Sequence, residues 1–107
     1  MKKRRSEIWM EAMNLVTKVT EVTQQEIFSG SKKSDVSQAR GLFFLTLTKQ
    51  GLRPATIMRL CQKEGWDTIV HSTITKHLKR ALVKETEDEE FIEFLSEIEA
   101  DLAPVSE

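Results

Sequence analysis

The chain has 107 residues, 39% of them hydrophobic, and one cysteine; that is enough for one domain with a real core and excludes an internal disulfide or a cysteine-built zinc site. No apolar run approaches the roughly 20 residues that span a bilayer, and Ser6, Glu7, Glu11 and Asn14 break up any signal-peptide core behind the basic N-terminus, so a soluble, cytoplasmic protein is expected. The formal net charge of −1 hides a split: residues 1–84 hold all 16 Lys and Arg against 7 Asp and Glu, hence +9, while residues 85–107 hold the other 10 acids and no base, a prior for a basic nucleic-acid-binding body with an acidic appendage.

Residues 1–6 form a basic arm through Lys2 to Arg5, suited to phosphates or a minor groove. Ser6 is a plausible N-cap for a helix to about Lys18, in which Ile8, Trp9, Ala12, Met13, Leu15, Val16 and Val19 recur at helical spacing. Thr23-Gln-Gln-Glu26 is a capping box, so a short helix should cover Gln24 to Phe28, with Gly30 as its stop. The polar loop from Ser31 to Ser34 carries Lys32 and Lys33, which can touch phosphate or stay in water. Ser34 or Asp35 caps the next helix, from Val36 to about Gln50, whose Leu42, Phe43, Phe44, Leu45 and Leu47 make it apolar nearly all round and mark it as the central element.

Pro54 opens another helix where its missing donor costs nothing. Ile57, Met58, Leu60 and Cys61 should face inward, and Gly65 ends the helix before a turn at Trp66 and Asp67. From Val70 to Lys84 the residues Ile74, His77, Leu78, Ala81 and Leu82 share one face that can pack inward. The other face carries Ser72, Thr73, Thr75, Lys76, Lys79 and Arg80. Short hydroxyl side chains at the start suit base edges, and the later cations suit phosphates, so this is read as a helix for the DNA major groove. With the helix before it, it makes a helix-turn-helix, although the connection is longer than the usual tight turn. Thr86-Glu-Asp-Glu89 is a second capping box, opening an acidic helix over residues 87–103 with Phe91, Ile92, Phe94, Leu95, Ile98 and Leu102 on its apolar side. That stripe is wide for a last helix, which also suits a homodimer or a protein partner there. The expected fold is all-α, a single compact domain of about six helices.

Nothing in this pattern calls for a cofactor or for catalysis. His71 and His77 lie on different helical faces, Cys61 sits on an apolar face, and no carboxylate pair accompanies them.

Three stretches are more specific: Val22-Thr-Gln-Gln-Glu-Ile-Phe-Ser-Gly30 leading to Val36-Ser-Gln-Ala-Arg40, then Leu52-Arg-Pro-Ala-Thr-Ile-Met-Arg-Leu60, then Val70-His-Ser-Thr-Ile74. In this order they resemble the C-terminal DNA-binding domain of the bacterial replication initiator DnaA, in the Trp-repressor-like helical group, over roughly residues 14 to 103. The resemblance implies sequence-specific binding of double-stranded DNA, with His71, Ser72 and Thr73 in the major groove and Arg40 in a minor groove. Val70 stands where the family has Asp, and Ile69 where it has a basic residue. No Gly-x-x-x-x-Gly-Lys-[Ser/Thr] loop occurs, so the expectation is a small regulator or a phage or mobile-element DNA-binding protein, not an ATP-driven initiator. The competing expectation is a protein-interaction module that keeps the fold without binding DNA, favoured by Val70 and the near-neutral total charge.

Overall fold

Six α-helices follow one another in the computed structural model, which describes residues 4–102: α1 (Arg5–Thr20), α2 (Gln24–Phe28), α3 (Ser34–Lys49), α4 (Pro54–Lys63), α5 (His71–Glu87) and α6 (Glu89–Asp101). No strand occurs among the described residues. Residues 1–3 of the basic arm and the stretch around Pro104 lie outside the described residues.

α3 is the axis of the fold. Val36 and every residue from Gln38 to Leu47 are buried, and α3 packs against each of the other five helices. Around it, α1 turns in Ile8, Trp9, Ala12, Met13 and Val16, and α6 turns in Phe91, Leu95 and Ile98 at spacings of four and three. The seven apolar residues Leu42, Phe43, Leu45, Ile57, Leu60, Ile74 and Leu78 belong to one core, with Leu60 and Leu78 at its half-buried margin.

Local chemistry accounts for most boundaries. The Thr23 capping box is closed in both directions, with the Glu26 N–H donating to Thr23 Oγ1 and the Thr23 N–H donating to Glu26 Oε1, each at 3.1 Å. α3 and α4 end in the same way. Gly51 (φ +95°) and Gly65 (φ +109°) occupy the left-handed region, and the following residues fold back, Leu52 N–H to Leu47 O at 3.1 Å and Trp66 N–H to Cys61 O at 2.9 Å. Glycine is needed there because a Cβ strains a positive φ.

Five boundaries or faces differ from expectation. α1 begins at Arg5, so Ser6 lies inside it rather than capping it. α3 starts at Ser34, and Asp35 uses its carboxylate on the adjacent Val36 N–H at 2.9 Å instead of capping from outside. α2 covers Gln24–Phe28 as expected, but Gly30 does not take the left-handed conformation of a stop glycine, for a reason that lies in Arg40. α5 runs through Thr86, whose hydroxyl donates back to Val83 O at 2.9 Å, and α6 is capped by Asp88, which accepts from Phe91 N–H at 3.1 Å. Leu82, expected inward, is 53% exposed; it falls one position past the face that Ile74 and Ala81 bury.

The connection between α4 and α5, residues 64–70, is long but anchored. Trp66 and Ile69 are buried, and the Trp66 ring stacks on Phe28 and Phe44, with centroids 5.0 and 5.9 Å away. The Gln62 side chain donates to Ile69 O at 3.4 Å. α2, α3 and the α4–α5 connection are thereby tied through one aromatic stack.

Candidate functional site

A five-residue helix cannot hold itself together, because its last carbonyls have no partners within it. At α2 those carbonyls are taken by Arg40 of α3. Its Nε donates to Ile27 O at 2.7 Å, Nη1 to Ser31 O at 2.6 Å, and Nη2 to Glu26 O at 3.2 Å and also to Ser29 O. The planar guanidinium fork makes this possible, since it offers five fixed donors. The backbone from Glu26 to Ser31 is thus wrapped around one side chain, which holds the end of α2 and gives the loop its shape. Ser29 and Ser31 hydroxyls complete the loop by accepting from Ser31 N–H and Lys33 N–H.

This corrects the expectation for Arg40. Its side chain turns inward and is 6% exposed, so it does not project toward a minor groove. Burial lowers its pKa from the ordinary value, and the carbonyl dipoles around it compensate the buried cation.

Between this loop and the first half of α5 lies a groove of about 430 Å³. One wall is Phe28, Ser29, Gly30, Ser31 and Lys32, the base includes Ser37, Arg40 and Trp66, and the other wall is Thr73, Lys76, His77 and Arg80 with Thr68 from the connection. The α5 residues share a side because they recur at three and four. Four cations from three parts of the chain, Lys32, Arg40, Lys76 and Arg80, border this space, and no carboxylate is among its lining residues. Such a concave, one-signed surface attracts anions.

His77 is the one titratable ring in the groove. It packs on Phe44 with centroids 5.9 Å apart and makes no side-chain hydrogen bond among the described residues. Its pKa is pulled down from the usual 6.5 to about 4, first by burial and then by Arg40, Arg80, Lys76 and Lys84. The ring is neutral at pH 7.

Of the residues expected at the site, Lys32, Arg40, Thr73, Lys76 and Arg80 come together in the groove. His71, Ser72, Lys79 and Lys33 are exposed but lie outside its lining. Thr75 is half-buried, its hydroxyl donating to Ser72 O at 3.1 Å. The groove also recruits Phe28, Ser37, Trp66, Thr68 and His77, which sequence reasoning did not assign to it. A signal existed for His77 alone, a polar ring on the otherwise apolar side of α5.

Elsewhere, Cys61 is fully buried and accepts from Trp9 Nε1 at 3.4 Å. Burial pushes its thiol up to about 11, with the Trp9 contact acting the other way, so it is an unreactive core residue at neutral pH. No group of three or more His, Cys, Asp or Glu among the described residues is placed to hold a metal ion. No helix among them is long and apolar enough to cross a membrane. Comparison with protein-family models, with curated proteins and with solved structures finds no match to this chain.

Proposed function

We propose that this chain binds double-stranded DNA, with α4 and α5 working as a helix-turn-helix and α5 entering the major groove. The observation that carries the reading is the gathering of Lys32 with Lys76 and Arg80 around a carboxylate-free groove, beside the exposed start of α5. Lys32, Lys76, Lys79 and Arg80 then meet phosphates, while His71, Ser72 and Thr73 face base edges. Arg40 contributes by shaping the loop that presents Lys32, rather than by entering a minor groove. The resemblance to the initiator's DNA-binding domain points the same way, and the role that fits is a small regulator or a phage or mobile-element protein that occupies DNA.

Chemical-shift mapping with a random duplex tests the location. Amides of residues 29–33 and 71–80 should move while those on the outer side of α6 stay in place. Shifts confined to α6, or none at all, would refute the reading.

A second reading, a protein-interaction module, has its own support in Leu82 (53%), Val83 (54%) and Ile92 (38%), apolar side chains left exposed on α5 and α6. It requires concentration-dependent self-association or a partner that Leu82→Glu disrupts; a monomer at all concentrations, unchanged by L82E, removes the dimer form of it.

A further inference from the structure

We propose that the groove between the Arg40-pinned loop and α5 is a site for one phosphate group, and that His77 at its side takes up a proton as the site fills. The inference rests on the DNA reading for the source of the phosphate, a backbone phosphodiester, but its geometry stands apart from that reading.

The site is built rather than accidental. Its loop wall is fixed by the four carbonyls that Arg40 holds, so Lys32 is delivered on a defined backbone rather than on a free tail. Its helix wall places Lys76 and Arg80 one turn apart on the same side of α5. The same wall carries His77, whose ring nitrogens have no protein partner among the described residues.

The charges around His77 come from every side that packs on it. Arg40 approaches from α3, and Lys76, Arg80 and Lys84 from α5 itself. Lys32 borders the same groove from the loop. From α6, Glu90 is engaged by Gln38 Nε2 at 3.3 Å, and Gln38 borders the adjoining crevice that His77 shares with Lys84 and Phe91. The empty site is therefore dominated by cations that repel a proton from the imidazole. A phosphate reverses that balance: its negative charge offsets the lysines and arginines, and a protonated imidazole offers it a further N–H donor. By linkage, each unit by which the anion raises the His77 pKa is a tenfold gain in anion affinity at a pH below both values.

The experiment is a pH titration of the two histidines by NMR in sulfate and in chloride at equal ionic strength. Sulfate is the probe because it stays a dianion across the range. His77 should titrate at least about one unit higher in saturating sulfate, and the exposed His71, outside the groove lining, reports general salt effects. The sulfate-minus-chloride difference should vanish in a Lys32→Ala/Arg80→Ala double variant. Identical His77 titrations in the two salts, or a difference that survives the double variant, overturns the proposal.

A third arm uses a short random duplex. If it raises the His77 pKa as sulfate does, the phosphodiester is the source. If sulfate acts but no duplex binds, the phosphate site stands, its source is a small phosphorylated molecule, and the DNA reading fails. If duplex binds while His77 responds to neither, the DNA reading stands and this proposal fails.

Discussion

Arg40 shows how one side chain settles the shape of a site it was expected to touch directly. Removing it strands the carbonyls of Glu26, Ile27, Ser29 and Ser31 and frees the loop, so Arg40→Ala should cost about 2–4 kcal/mol. Arg40→Lys should recover little of that, because a single ammonium cannot reproduce the fork. Urea unfolding measures both, and faster amide exchange at residues 27–33 locates the effect; a loss below about 1 kcal/mol would mean the carbonyls are satisfied some other way. His77 has a separate signature. Its folded pKa of about 4 lies below the ordinary 6.5, so between those values the unfolded chain holds the proton and the folded one does not. Stability should therefore fall as pH drops from 6.5 to 4, by about 2 kcal/mol once the partial exposure of the ring is allowed for. His77→Gln should flatten that part of the stability profile, and an unchanged slope in the variant would show that other groups produce it.

At the scale of elements, the helices were legible because their signals are local. The capping box of Thr23, the Pro54 start and the Gly51 and Gly65 stops each depend on residues within one turn, and α3 announces its burial through an unbroken apolar run. The failures are of another kind. Thr86 carries a capping-box spacing, but α5 continues through it and Asp88 wins the cap. Arg40 and Trp66 act on segments 9 to 14 and 22 to 38 residues away, and no local pattern reports contacts of that range. The groove was accordingly half legible: its α5 wall could be read from periodicity and Lys32 from the basic loop, but not the inward turn of Arg40 or the place of Phe28, Ser37 and Trp66 in the groove. Within α5 the proposed division of labour is directly measurable. Lys76→Ala, Lys79→Ala and Arg80→Ala should weaken binding to all duplexes alike and each lower the salt slope by about one. His71→Ala or Thr73→Ala should instead cost about 1–3 kcal/mol on a preferred site and little on random DNA. If the two sets of variants behave identically on every sequence, α5 does not read bases.

Across the whole molecule, the segregation of charge in the sequence becomes a basic groove on one set of elements and an acidic α6 that also supplies core through Phe91, Leu95 and Ile98. Deleting α6 would confound the two roles. Neutralising only the exposed Glu93, Glu97 and Asp101 separates them, since the one ion pair this removes among the described residues, Lys18 to Asp101 at 3.9 Å, is exposed and exposed pairs contribute less than about 1 kcal/mol. Duplex affinity should rise roughly two- to fivefold at low salt, the advantage should disappear as salt screens it, and folding should hold. Unchanged affinity at low salt would show that α6 exerts no long-range repulsion.

The claim on which the functional reading turns is that Lys32, Lys76, Lys79 and Arg80 meet DNA phosphates together. It is tested most directly by fluorescence anisotropy of a random duplex across a salt series. Four phosphate contacts should give a slope of log K against log salt of about −3 to −4; no duplex binding at low salt, or binding that does not change with salt, would contradict it.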